Sequence, residues 1–135
     1  GDGLRREWFQ LAAAELADPR FNLFCSYDGG RTLQPSPSSS VQGAGHRAYF
    51  ELAGKLVGLA LLHGETLPAL RFSNAFLKRV LGGTLGLDDL EATDPEAYRG
   101  LRHVLQADDV EGLCLTFSEA SDHPADLLTG AGDDA

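Results

Sequence analysis

The chain has 135 residues, 43% hydrophobic and 23% charged, a balance that fits one globular domain and excludes the apolar-poor composition of disordered chains. Its 20 acidic residues against 11 basic ones give a formal charge of -9, a field that repels phosphate backbones and excludes nucleic acid as a natural partner. The longest strongly apolar stretch, Leu56 to Leu62, is flanked by Lys55, His63 and Glu65 and falls far short of the roughly 20 residues of a membrane span; with no signal-peptide pattern at the start, the expected compartment is the cytoplasm or the nucleus.

From Leu4 to Ala17, Leu4, Trp8, Leu11, Ala12 and Leu16 recur at helical spacing with Arg5, Arg6, Gln10 and Glu15 between them, which predicts an amphipathic helix. Asp18-Pro19 ends it, because proline disfavours helical geometry in the residue before it. Phe21, Leu23, Cys25 and Tyr27 then alternate with Asn22, Phe24 and Ser26, and Asp28-Gly29-Gly30 supplies a turn before Arg31 to Gln34; the pattern predicts a small β-hairpin. The turn-forming run from Pro35 to Gly45 has little to bury and is expected to be an exposed, mobile connection.

His46 to His63 is the most apolar segment, and its apolar residues cover nearly the whole circumference apart from Glu51 and Lys55. The reading is a central, mostly buried helix. Gly54 and Gly58, four apart, share a face on which another backbone is expected to come close. Ser73 as N-cap, Phe76, Leu77, Val80 and Leu81 as buried face and Gly82-Gly83 as stop predict a third helix. A short turn near Leu87 to Leu90 follows. Asp94-Pro95-Glu96 then places a cap, a first-turn proline and an acid ahead of Tyr98, Leu101, Val104 and Leu105, a fourth helix. Leu113, Leu115 and Phe117 alternate with Cys114 and Thr116 and predict one further strand, and the small acidic segment from Ser121 is expected to be disordered.

Little in this order carries chemistry. Cys25 and Cys114 are too far apart for a CxxC pair and read as small buried hydrophobes. His46, His63, His103 and His123 are candidate bases, yet nothing in the sequence brings one beside a thiol. No spacing suits a metal, no loop suits a phosphate and no nucleophile elbow occurs, so no catalytic, metal or cofactor-binding residue is assigned and no cofactor is expected.

Read in order, Gly3-Leu4-Arg5-Arg6-Glu7-Trp8-Phe9, Asp18-Pro19, Leu23-Phe24, Thr32-Leu33-Gln34-Pro35 and the run from Tyr49 to Ala60 resemble the start of a HECT domain. The likeness continues through His63-Gly64, Phe72-Ser73, Phe76-Leu77-Lys78, Leu81-Gly82, Leu87 to Glu91, Asp94 to Tyr98 and Leu101, and ends near Leu115-Thr116-Phe117. It implies an α+β, mainly α-helical fold, the large subdomain of a HECT amino-terminal lobe with about four helices, a hairpin and one further strand. Residues 1-120 would form this partial domain and 121-135 an acidic tail. The resemblance also implies a ubiquitin-protein ligase, which takes ubiquitin from a ubiquitin-conjugating enzyme onto a cysteine and passes it to a substrate lysine. In the family that cysteine lies in a Thr-Cys-x-Asn-type motif in a later lobe, and neither Cys25 nor Cys114 matches it. The expectation is an inactive piece of a ligase, from an incomplete gene model, a truncated isoform or a degenerate copy; the alternative is a non-catalytic helical interaction module. A weak ubiquitin-contact surface is implied at the hairpin, at Phe24, Tyr27 and Leu33, with burial of both hairpin faces between helices as the competing reading.

Overall fold

The computed structural model describes residues 1–116, which form five α-helices and one two-stranded sheet. The chain divides into two compact units, Gly1–Gly100 and Leu101–Ala135. Helix α1 spans Asp2–Ala17 and ends at Asp18, whose ψ of 123° leaves helical geometry before Pro19. It buries Phe9, Ala13 and Leu16; of the predicted apolar set, Leu16 is buried and Ala12 packs against the core, whereas Leu4, Trp8 and Leu11 are exposed. At 3.6 residues per turn these two sets lie on opposite sides of the helix. Both are apolar, so periodicity alone identifies a helix here without saying which stripe meets the core.

Helix α2, His46–His63, turns its Ala53, Leu56 and Ala60 stripe inward and stops at Gly64, which takes a left-handed φ of 65°. Phe9, Ala13, Leu16, Leu23, Phe24, Ala53, Leu56, Ala60 and Leu70 form the core between α1, α2 and the hairpin. Burying each of its larger side chains is worth about 1.5–3 kcal/mol. Glu65, just past α2, has a side chain only 7% exposed and receives Arg5 at 3.2 Å and Arg6 at 3.6 Å, so a carboxylate at the end of one helix is held by two guanidiniums at the start of the other.

Two expectations for α2 are overturned. The helix is not buried all round, because Leu52, Leu59, Leu61 and Leu62 are exposed. Nor do Gly54 and Gly58 mark a close approach: both are exposed, and a Cβ added at either would meet nothing within 4 Å. They face away from the buried stripe, where among the described residues no second backbone lies against them.

Between the helices, strand β1 (Phe24–Cys25) pairs antiparallel with β2 (Gln34–Pro35), with Phe24 opposite Pro35 and Cys25 opposite Gln34. Leu33 bridges Phe72 in parallel through Leu33 N–H to Arg71 O at 2.6 Å and Ser73 N–H to Leu33 O at 2.8 Å. The predicted hairpin is present, and a segment remote in sequence extends it. The run after β2 is no loose connection: Ser36 and Ser39 are buried, and Ser39–Gln42 is a 3₁₀ turn. Ser36 Oγ donates to Asn22 Oδ1 at 3.0 Å, Asn22 Nδ2 donates to Ser38 O at 2.9 Å, and Ser39 Oγ lies 3.0 Å from His46 Nδ1. Buried polar groups are tolerable when so satisfied.

Helix α3, Asn74–Val80, starts at the predicted cap, Ser73 Oγ accepting from Phe76 N–H at 3.2 Å. The stretch read as a turn is a seven-residue helix, α4 (Leu87–Thr93). Asp89 makes it possible by accepting from Gly86 N–H at 2.8 Å and from Lys78 Nζ at 2.8 Å, which caps α4 and ties it to α3. Helix α5, Pro95–Gln106, begins as read, with Asp94 Oδ1 accepting from Ala97 N–H at 3.0 Å.

The last strand of the sequence reading is absent from its described part. Glu111–Leu113 is a 3₁₀ turn, and Cys114 follows at a left-handed φ of 50°. Asp109 Oδ1 accepts from Gly112 N–H at 2.9 Å, closing a local turn that competes with an extended chain. Cys114 is accordingly exposed rather than buried. Phe117 and the tail from 121 to 135 lie outside the described residues.

Candidate functional site

The hairpin carries the three side chains singled out from the sequence, and its loop is built around Asp28. That carboxylate accepts from Thr32 Oγ1 at 2.7 Å, Thr32 N–H at 2.9 Å, Ser26 Oγ at 2.8 Å and Arg31 N–H at 3.0 Å. These donors, the Thr32 hydroxyl foremost and the Thr32 N–H next, hold the carboxyl well below the usual carboxylate range against the opposing effect of desolvation. Gly29 and Gly30 carry the left-handed φ values of 75° and 84° that the turn requires.

The structure separates Phe24 from Tyr27. Phe24 is 5% exposed and stands edge-on to Phe50 at 5.7 Å and tilted against Phe72 at 5.3 Å. It therefore fastens the hairpin to the core and cannot serve as a surface anchor. Tyr27 is 47% exposed, and Leu33 is half-buried against the core. Of the three, only Tyr27 presents a large aromatic surface outward.

Cys25 is half-buried in β1, its Sγ 3.8 Å from the carbonyl of Pro35. Among the described residues neither thiol is hydrogen-bonded to a histidine: His46 meets Ser39, and the ring of His63 lies 6.3 Å from that of Phe9. Described His, Cys, Asp and Glu side chains nowhere gather into a set of three that could hold a metal ion, and no described helix is long and apolar enough to cross a membrane.

Two concavities adjoin the hairpin. One is an apolar groove of about 520 Å³ walled by Phe50, Val57, Phe72, Phe76 and Val80. The other, of about 570 Å³, is lined by Cys25, Leu33 and Pro68 together with Arg31 and Arg71. The sequence reading missed the two arginines because only the Leu33–Phe72 bridge brings them to one place, and a contact between distant segments leaves no mark in local spacing.

The described residues form a helical body carrying a short two-stranded hairpin. The profile of the HECT-domain (ubiquitin-transferase) family matches residues 10–134, and the chain belongs to that family. It is 38% identical over 123 residues to the E3 ubiquitin-protein ligase HACE1 of Xenopus tropicalis, a match covering 90% of this chain and 13% of the relative. The HACE1 of Gallus gallus gives the same figures. The E3 ubiquitin-protein ligase UPL2 of Arabidopsis thaliana is 36% identical over 126 residues, 93% of this chain and 3% of the relative. The chain thus spans a small fraction of the length of the curated relatives it matches. The family match also runs past Phe117, near which the likeness read from the sequence ends.

Proposed function

We propose that this chain is a structural part of a HECT-type ubiquitin ligase, one that accepts ubiquitin from a conjugating enzyme as a cysteine thioester and transfers it to a substrate lysine. The observation that carries the reading is the family match over residues 10–134, together with relatives named as E3 ubiquitin-protein ligases. We further propose that these 135 residues alone form no thioester. The sequence contains no Thr-Cys-x-Asn segment. Cys25 is bonded toward a backbone carbonyl; Cys114, though exposed, has no histidine bonded to it among the described residues to favour the thiolate that nucleophilic attack needs. Incubation with ubiquitin-charged conjugating enzyme and a non-reducing gel tests this. A reductant-sensitive adduct lost in Cys114→Ser or Cys25→Ser would overturn it.

The hairpin gives the reading a surface. Tyr27, exposed beside a loop fixed by Asp28, is the side chain suited to a weak ubiquitin contact, with Leu33 half-buried against the core and Phe24 buried within it. Amide shifts on titration with ubiquitin should centre on residues 26–33 and vanish in Tyr27→Ala; shifts elsewhere would remove the hairpin from the site. A second reading, a non-catalytic helical interaction module, draws support from the exposed leucines of α1 and α2, since contiguous exposed apolar surface marks a place where another protein sits.

A further inference from the structure

The cleft beneath the hairpin places two cations where no acid answers them. Arg31 and Arg71 both line it, and no carboxylate does. Asp28, the acid nearest Arg31 in sequence, already accepts four hydrogen bonds within its own loop, and Asp18, between the lining residues Ala17 and Pro19, is paired with Arg20 at 2.7 Å. The guanidinium of Arg31 is held in place by Nε, which donates to Asp28 O at 3.0 Å. Arg71 is fixed through its backbone, since its carbonyl accepts from Leu33 N–H at 2.6 Å. Its side chain is exposed and makes no hydrogen bond or ion pair among the described residues. In a protein of formal charge -9, two arginines lining one concavity form a local positive field that a bound anion would satisfy.

The chemistry of the walls narrows the anion. Leu33 and Pro68 offer apolar surface in the same cleft, which suits a ligand with an aliphatic body. The negative field of the whole chain disfavours polyanions. A guanidinium fork matches the two oxygens of a carboxylate.

We propose that this cleft is a recognition site for a single carboxylate borne on an aliphatic or peptide body, with Arg31 and Arg71 taking the charge and Leu33 and Pro68 the apolar part. The site stands apart from the ligase reading, and its test needs no other part of a ligase. Cys25 lines the same cleft and serves as a reporter, because iodoacetate and iodoacetamide have nearly the same size and differ by a carboxylate against an amide.

In the unaltered chain, the ratio of iodoacetate to iodoacetamide alkylation rates should be higher at Cys25 than at Cys114, which is exposed and close in sequence to Asp109 and Glu111. It should fall by up to about fivefold in Arg71→Gln, the effect of one partly exposed charge pair. Arg71→Gln is the informative variant because the side chain holds nothing else in place; Arg31→Gln should act in the same direction. N-acetyl-leucine should protect Cys25 from iodoacetamide, and its amide should not. A ratio unmoved in both variants, or equal protection by the amide, would overturn the proposal. Equal protection by inorganic phosphate would also overturn it, by showing a bare anion site with no use for the apolar wall.

Discussion

Helix α2 and the serine-rich connection before it each place some residues against what their composition suggests. Helix α2 is apolar nearly all round, yet Leu61 and Leu62 are 77% and 79% exposed. The serine-rich run beginning at Pro35 looks like a surface connection, yet Ser36 and Ser39 are each 5% exposed. Burial is a property of what lies opposite. Among the described residues α2 buries three of its positions, Ala53, Leu56 and Ala60, and packs Phe50 partly against the core, while Leu52, Leu59, Leu61 and Leu62 stay exposed. The serines are drawn inward because Asn22 and His46 satisfy their polar atoms, and a buried hydroxyl with partners costs little.

The largest expected effect tests the apolar half of that contrast. Leu56→Ala removes a side chain 5% exposed in the core and should lower stability by about 2–5 kcal/mol. Leu62→Ala, on the open side of the same helix, should stay within about 0.5 kcal/mol. Denaturant midpoints for the pair check both. Comparable losses would mean that Leu62 is covered in solution and that the two sides of α2 do not differ.

Which parts were legible in the sequence follows from the same distinction. Features set by neighbouring residues could be read: the Ser73 and Asp94 caps, the stop at Asp18-Pro19 and the turn at Asp28-Gly29-Gly30 all stand where the sequence places them. Features set by a distant partner could not. On α1 the predicted set holds the buried Leu16 together with the exposed Leu4, Trp8 and Leu11, because these are as apolar as Phe9 and Ala13 and only the position of α2 chooses between them. Helix α4 was read as a turn because its cap depends on Asp89, whose second bond reaches back to Lys78. For the candidate site, alternation along β1 raised the question of Phe24 without answering it, since the two rings that enclose it, Phe50 and Phe72, come from elsewhere in the chain. The pairing of Arg31 with Arg71 in one cleft was hidden for the same reason.

The polar half is sharpened by Ser36→Ala. Its hydroxyl donates to Asn22 Oδ1 and lies 3.1 Å from Ser38 Oγ, so its loss strips part of the network that lets this segment sit inside. A destabilisation of about 1–3 kcal/mol is expected by chemical denaturation. A negligible effect would mean that water replaces the hydroxyl and that the segment is less enclosed than it looks.

Smaller again, and opposite in sign to what the sequence suggests, is the effect at Gly58. Were a backbone packed against this glycine, Gly58→Leu would cost about 1–3 kcal/mol. With nothing within 4 Å of an added Cβ, what remains is helix propensity, and Gly58→Ala should raise stability by about 0.5–1 kcal/mol. Thermal unfolding of the two variants decides, and a marked loss in either would restore the close approach.

The smallest effect is electrostatic and belongs to the hairpin. Asp28 is held below the ordinary carboxylate range first by the Thr32 hydroxyl, then by the Thr32 N–H, with Ser26 and Arg31 N–H adding to them. A carboxylate whose pKa is lower in the folded than in the unfolded chain stabilises the fold fully above the unfolded value of about 3.9 and loses that contribution as pH falls through the folded one. Asp28→Asn cannot titrate, and it still offers one acceptor oxygen to the loop. The unfolding midpoint of the unaltered chain should therefore lie above that of Asp28→Asn near pH 7, and the gap should close on acidification below about pH 4. The other acids titrate alike in both proteins, so the closing of the gap reports Asp28 alone. Because this carboxylate is only half-buried, solvent screening should keep the gap modest at any pH. Its pH dependence carries the test: a gap that holds constant into acid would show that the loop needs the shape of Asp28 and not its charge, and Tyr27 would then sit on a turn that acid leaves in place.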